Sequence, residues 1–527
     1  MYDNMTLTGQ NFIAGKLSGQ ATETFKAINP SNGTELLTNF HEATSEEINE
    51  TITKAHEAFL VYGKKSGKEK ADFLDAIADE ILNLGDSLIE RCCAETGLPE
   101  GRITGERGRT MNQLKLFANV LREGSWVDAR IDTAIPEREP LPKPDIRSMQ
   151  KPLGVVGVFG ASNFPLAFSV AGGDTASALA SGCPIVVKAH PSHPGTCELI
   201  ANAINKAIEK TNMPKGVFSM VHGKSVAVGM GIVNHSLVKA IGFTGSYKGG
   251  KAIFDAAHNR PEPIPVYAEM GSTNPVFILP NALNESGEEI AKGLTGSVTL
   301  GVGQFCTNPG IVFLNNDVSV SSFQEKVAQN FKEVEANTML NSGIKTAYDG
   351  EIKNLSNEIE LLAQGKENHE GFKGSAHVFK TSAKNFLIED YLEEEVFGPS
   401  TITITADSKE ELLASAKKLK GHLTATLFAT EEDLKKHTDL IEILEQKVGR
   451  LIINNFPTGV EVCHSMVHGG PFPATTNSRS TSVGTSAITR FTRAVCYQNF
   501  PQDLLSDELK DENPLGIIRI FNGEYIK

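Results

Sequence analysis

From residue 152 onward the chain repeats one unit, a short continuous apolar run followed by a helix-length segment. The runs are GVVGVFG (154–160), PIVVK (184–188), VFSMV (217–221) and VKAIGF (238–243). A strand with water on one face alternates apolar and polar residues. A strand that reads apolar throughout is covered on both faces, and with helical crossovers this predicts an α/β fold with a parallel, doubly wound sheet. Helices are expected at 166–180 and 197–210, and VYAEM (266–270) and PVFIL (275–279) extend the same sheet. A second αβ set runs from residue 306 to about 460. With 527 residues, the chain exceeds what one simple core holds, so two or three domains are expected. Before this region, Thr44 or Ser45 caps a helix with the stripe Ile48, Ile52, Ala55 and Phe59. A second stripe at Phe73, Ile77 and Ile81 is broken by Gly85 and Asp86, and a third helix spans about 110–121. The proline-rich stretch 127–150 reads either as exposed edge strands or as a surface linker. Ile517, Ile518, Ile520 and Phe521 give the tail a β-like character.

The formal charge is −14 and no basic stripe offsets it, which argues against nucleic-acid binding. An anionic cofactor would have to be held by local backbone amides and a few lysines. There is no apolar run of about 18 residues, so no membrane-spanning helix is expected. The opening MYDNMTLTGQNFIAGK is polar and carries an acid, unlike a secretory signal. Seven cysteines, an odd number without regular spacing, read as reduced thiols in a cytoplasm. Neither CxxC nor HExxH occurs, and no resident metal is expected. His464 and His468 have ligand-like spacing, but Gly469, Gly470, Pro471 and Pro473 place them in a loop.

Several segments combine chemical groups with tight turns, each open to two readings. Cys306 follows Gly301, Gly303 and Gln304; it is a buried structural thiol, or a reactive one on a loop that something approaches closely. Glu269, in EMGSTNP, ends a strand where open α/β sheets bind ligands, or is a surface turn acid. Gly245 and Ser246 open a helix whose free N–H groups suit a phosphate, or form a plain turn and cap. Asn163, after the strand at 154–160, offers an amide donor for an oxyanion, or caps the next helix. Lys188 ends a strand and is either a ribose contact or a solvated lysine; EVFGP (395–399) supplies Glu395 and an aromatic wall, Phe397.

Taken in order, GQFC (303–306), EMGSTNP, NFP (163–165), FTGS (243–246) and EVFGP resemble the aldehyde dehydrogenase superfamily, over about residues 10–500. The resemblance implies a Rossmann-type dinucleotide-binding domain (1–126 and 151–280) and a catalytic domain (281–484). It also implies a β oligomerisation arm (127–150 with 485–505) and a C-terminal tail (506–527), in a homodimer or homotetramer. Cys306 is then the nucleophile, Glu269 the general base and Asn163 the oxyanion donor. Lys188 and Ser192 serve the adenosine ribose, Gly245 and Ser246 the pyrophosphate, and Glu395 with Phe397 the nicotinamide ribose. The implied reaction is NAD(P)-dependent oxidation of an aldehyde to an acid through a thiohemiacetal and a thioester.

Three departures bear on specificity. Pro191 stands where many NAD-preferring relatives carry a glutamate, which favours NADP, or use of both cofactors. Ser272 replaces a usual glycine and Ser162 a usual tryptophan. ASNFP, KAHPSHP and TGVEVCHSMVHGGPFP are most similar to the branch that oxidises 2,5-dioxopentanoate to 2-oxoglutarate, and the fatty-aldehyde branch shares much of the pattern. Arg109, with Gln113 one turn on, is a candidate clamp for a substrate carboxylate, against the alternative of a solvated helix arginine. His468 is a candidate for proton transfer beside the pocket. Competing classes are a cysteine hydrolase that needs no dinucleotide and a non-catalytic binding protein; aldehyde-dependent reduction of a nicotinamide separates both from a dehydrogenase.

Overall fold

A computed structural model describes residues 7–368 and 370–527; part of the polar opening segment, residues 1–6, lies outside the described residues. Two seven-stranded sheets dominate. In the first, the order is Val266–Glu269, Val238–Thr244, Val155–Phe159, Ile185–Lys188, Phe218–Val221, Asn11–Ile13 and Lys16–Ser18. Its first five strands are parallel, and the two N-terminal strands add antiparallel. The chain leaves Val155–Phe159 toward one side of the sheet and later returns to the other. That reversal opens a crevice at the strands' C-terminal ends, where Phe159, Lys188, Thr244 and Glu269 sit.

Helices cover both faces. Ile48, Ile52 and Ala55 of Ser45–Tyr62 pack one face with Ile232 and Ile253. Phe73, Ile77, Leu114, Phe117 and Ile204 pack the other. Thr44 is the cap of Ser45–Tyr62: its Oγ1 accepts from the Glu47 N–H (3.1 Å) and Glu47 Oε2 accepts from the Thr44 N–H (2.9 Å). The expected break at Gly85–Asp86 shrinks to Leu84, with Gly85 already opening the helix Gly85–Thr96 at φ +57°. The third helix is longer than its apolar stripe suggested, Glu100–Glu123.

Two expectations are corrected. The helix expected from 166 begins only at Gly173. Over 166–172 the backbone folds back instead: the N–H groups of Leu166 and Ala167 both donate to buried Glu106 (2.9 Å each), and Ala161 N–H donates to Phe168 O (2.8 Å). A carboxylate 60 residues away thus takes the donors that a helix start would leave open. The run at 275–279 does not extend the first sheet. Val276–Ile278 lies in the second, between Ile311–Asn315 and His422–Phe428. Asn274, at φ +45°, turns the chain from one sheet to the other. The second sheet is completed by Ser400–Ala406, His377–Ser382, Glu360–Gln364 and Val448–Ile453, all parallel except Glu360–Gln364.

Residues 130–132 and 146–152 are strands, not a linker. They join Thr492–Gln498 in a five-stranded sheet that also takes in Arg519–Phe521 and Glu524–Ile526. The tail is therefore part of this sheet, sealed by Ile131, Met149, Leu509 and Ile517. Among the described residues no helix is long and apolar enough to cross a membrane.

Candidate active site

The crevice of the first sheet faces the second sheet across a cleft of about 1320 Å³. That exceeds the roughly 300–1,000 Å³ of most small-molecule sites. Asn163, Lys188, Gly245, Ser246, Glu269, Cys306, Glu395 and Phe397 all line it. Four residues named from sequence stand off its wall: Ser192, whose Oγ accepts from Asn341 Nδ2 (3.0 Å), Arg109 and Gln113 on the neighbouring helix, and His468, behind Glu269.

Cys306 is held by four separate parts of the chain. Gly301, Val302 and Gly303 all have positive φ (55°, 59° and 65°), a costly conformation for a β-branched valine. Gly303 packs on the peptide of the EVFGP segment: a Cβ there would lie 2.2 Å from Gly398 O. Gln304 latches the loop, its O accepting from Asn163 Nδ2 (3.1 Å) and its Oε1 from Leu340 N–H (3.0 Å). Asn274 Nδ2 donates to the carbonyls of Cys306 (2.8 Å) and Asn308 (2.9 Å). The turn that moves the chain between sheets therefore also fixes the thiol's backbone.

Opposite the thiol, Glu269 is 4% exposed and doubly held: His468 Nε2 donates to Oε1 (2.9 Å) and Ser482 Oγ to Oε2 (2.7 Å). Burial works to raise the Glu269 carboxyl, but the His468 imidazole and the hydrogen bonds from His468 and Ser482 outweigh it and hold it below its ordinary value. The same His468 Nε2 is 3.5 Å from Cys306 Sγ. Burial, followed by the charge of Glu269, pushes the Cys306 thiol well up. The resting pair is thus a protonated thiol beside an ionised carboxylate, arranged for proton transfer as the sulfur attacks. Ser482, which sequence reading missed, has its own N–H on His468 O (2.8 Å), so base and imidazole are locked as one unit.

Glu269, Cys306 and His468 place ligand-type atoms within 4.8 Å of one another. They are paired with each other rather than splayed about a shared centre: the Nε2 a metal would need is committed to Glu269, whose other oxygen is on Ser482. His464 is exposed while His468 is buried, so the two histidines do not converge.

Next to this trio the helix Glu100–Glu123 presents Arg109 and Gln113. Arg109 lies over the rings of Phe168 (5.1 Å) and Phe164 (5.7 Å), with Nε and Nη2 buried and unpartnered, and burial pulls its pKa down. Gln113 Nε2 is likewise buried without a partner. The Phe168 ring is 6.1 Å from that of His468. Arg450, a basic residue inside the strand Val448–Ile453, is a further cation near Cys306 that sequence reading passed over; its Nη atoms donate to Gly459 O and Pro457 O while Nε is unpartnered.

At the far side of the cleft, burial raises the Glu395 carboxyl to about 7, and its Oε1 accepts from Ser272 N–H (3.3 Å). Gly271 lets the carboxylate come close, since a Cβ there would lie 2.4 Å from Glu395 Oε2 and push it aside. The departure at Ser272 is structural: its Oγ donates to Asn274 Oδ1 (3.0 Å) and accepts from Leu423 N–H (3.0 Å). Ser246 caps the helix Tyr247–His258, its Oγ accepting from Gly249 N–H (3.3 Å), and that helix start opens on the cleft. Burial lowers the Lys188 ammonium to about 8. A long cleft with a helix N-terminus in mid-course and a carboxylate and an ammonium among its walls fits a dinucleotide.

The model of the aldehyde dehydrogenase family matches residues 17–493. The chain is 47% identical over 524 residues to alpha-ketoglutaric semialdehyde dehydrogenase 2 of Azospirillum brasilense, covering 99% of this chain and 100% of that protein. It is 46% identical over 518 residues to alpha-ketoglutaric semialdehyde dehydrogenase of Acinetobacter baylyi, covering 98% of each. In fold it is similar to the crystal structure of betaine aldehyde dehydrogenase from Staphylococcus aureus in complex with NAD+, with a TM-score of 0.80 at 20% identity over 95% of this chain and 97% of that one. With the match running through both large sheets and the cleft between them, the chain belongs to the aldehyde dehydrogenase family and is an NAD(P)-dependent oxidoreductase of aldehydes.

Proposed function

We propose that this enzyme oxidises 2,5-dioxopentanoate to 2-oxoglutarate. The observation that carries the reading is the pair of unpartnered buried donors, Arg109 and Gln113, beside the Cys306–Glu269–His468 group. A buried guanidinium without a partner is costly unless a ligand supplies the missing anion, and the substrate's terminal carboxylate is such an anion. The names of the two relatives that match over nearly the whole chain agree with this substrate.

Cys306 attacks the aldehyde carbon and passes its proton to Glu269, which His468 and Ser482 keep ionised. The developing oxyanion is met by the Cys306 backbone N–H and by Asn163 Nδ2, whose other hydrogen is on Gln304 O. A dinucleotide, when bound, would accept the hydride lost by the former aldehyde carbon, which would leave a thioester on Cys306. Glu269 gives up the thiol's proton to solvent and, ionised again, deprotonates a water that hydrolyses the thioester; the acid leaves and the departing Cys306 thiolate takes back a proton from Glu269. His468 Nε2, within reach of both Glu269 and Cys306, steadies the carboxylate through these transfers.

Along the cleft, Glu395 and Phe397 would hold the nicotinamide ribose, the helix start at Gly245 and Ser246 the pyrophosphate, and Lys188 the adenosine ribose. Ser192, already bound to Asn341, acts at most by shaping the loop. The domains follow the sheets, with the switch between the first two at Asn274. The five-stranded sheet leaves Thr492–Gln498 and Glu524–Ile526 at its edges, which suits strand pairing with another copy in a homodimer or homotetramer. The free cysteines fit a reducing cytoplasm.

The test is Arg109→Leu. A charge-assisted hydrogen bond is worth about 1.5–3 kcal/mol, so KM for 2,5-dioxopentanoate should rise roughly 10- to 150-fold. KM for aliphatic aldehydes without a carboxylate should hold or fall. An unchanged KM for the semialdehyde would remove the clamp, and a wild-type preference for medium- or long-chain aldehydes would favour a fatty-aldehyde enzyme, for which Phe164, Phe168 and Phe305 are a ready apolar wall.

A further inference from the structure

The absence of a carboxylate at Pro191 favoured NADP, because nothing there would repel a 2′-phosphate. The fold brings a carboxylate to the same neighbourhood from a distant part of the chain. Lys188 ends its strand in register with Val221, the last residue of Phe218–Val221. The chain then turns through His222 and Gly223 to Ser225, which precedes the nine-residue helix Val226–Asn234. Ala43 N–H donates to His222 O (3.0 Å), which lays Glu42 along this turn. Glu42 Oε1 accepts from the Ser225 N–H at 2.7 Å. The N-terminus of a helix favours an anion, and here the protein's own carboxylate has taken that place. Its charge is also among those acting on the Lys188 ammonium. Ser225 makes no side-chain cap of its own, and the cation next in sequence, Lys224, is turned aside with Nζ 5.6 Å from the centre of the Phe25 ring.

We propose that Glu42 selects the cofactor: standing at the helix start beside Lys188, its carboxylate accepts from the adenosine ribose 2′-hydroxyl and repels a 2′-phosphate, so the enzyme takes NAD in preference to NADP. A carboxylate has about four acceptor sites, so the bond from Ser225 leaves capacity for a ribose hydroxyl. Two like charges brought within contact repel each other, most strongly at low ionic strength. The inference rests on the reading of the cleft as a dinucleotide site.

The experiment is calorimetric titration of the full-length wild type, Glu42→Gln and Glu42→Ala with NAD and, separately, with NADP. Glutamine keeps an oxygen for the Ser225 N–H and removes only the charge; alanine removes both. The wild type should bind NAD at least tenfold more tightly than NADP. In Glu42→Gln the ratio should fall at least tenfold, mainly through tighter NADP binding, and kcat/KM should follow the same order. A wild type that prefers NADP, or a ratio that is the same in all three proteins, overturns the role of Glu42 while leaving the dinucleotide site intact. A wild type that binds neither nucleotide overturns the reading of the cleft itself.

Discussion

Replacing His468 separates a carboxylate that is merely near Cys306 from one tuned to accept its proton. In the folded protein His468 Nε2 donates to Glu269 at 2.9 Å inside a buried site, and this is among the contacts that keep the carboxyl low against the pull of burial. A hydrogen bond to a charged group is worth about 1.5–3 kcal/mol. One pKa unit corresponds to about 1.4 kcal/mol, so removing the bond should raise the Glu269 pKa by roughly 1–2 units. Glu269 acts as a base only when ionised, so activity falls as pH drops through its pKa. A higher pKa moves that loss to higher pH. His468→Phe, which keeps the ring volume against Phe168, should therefore displace the acid limb of the kcat/KM profile upward by about 1–2 pH units. Ser482→Ala should displace it in the same direction. The assay is aldehyde-dependent nicotinamide reduction from about pH 5 to 9, with the folded state of each variant checked by circular dichroism. A His468→Phe profile superimposable on that of the wild type would refute the reasoning, whatever the absolute rate.

Asn163→Ala should lower kcat by about 10²–10³ with little change in cofactor affinity, since it removes one oxyanion donor; steady-state kinetics together with NAD(P) titration distinguish the two effects. Glu395, raised to about 7, should hold the ribose hydroxyls as an anion only above that pH. Dinucleotide affinity measured by calorimetry should therefore tighten as pH rises through about 7, and Glu395→Gln should abolish the dependence.

Much of this arrangement is legible in the residues. The strands at 155–159, 185–188, 218–221 and 238–244 declare themselves because burial on both faces keeps them almost wholly apolar, with Ser219 and Lys239 the polar residues inside them. Cys306 carries recognisable surroundings because its loop needs glycine, Gly303 lying at positive φ against the Gly398 peptide. What escaped was set by single polar side chains acting across long sequence separations. Glu106 unmakes the start of a helix 60 residues later. Ser482 reaches Glu269 across 213 residues, and Glu42 reaches Ser225 across 183. None of the three disturbs an apolar period, so no local pattern reveals it. Val276–Ile278 was assigned to the wrong sheet for a related reason: an apolar triplet says that it is buried, not against what, and the turn at Asn274 alone decides.

The central claim is that Cys306 forms a thioester whose hydrolysis depends on Glu269. Glu269→Gln should allow slow acylation but block the activation of water, so acyl-enzyme accumulates. The protein, incubated with 2,5-dioxopentanoate and NAD(P), is quenched in acid, digested and weighed by mass spectrometry. One 2-oxoglutaryl group is expected on the peptide carrying Cys306, formed together with one equivalent of reduced nicotinamide, and neither product in Cys306→Ala. Acyl label on any other residue, or undiminished turnover in Cys306→Ala, would contradict the claim.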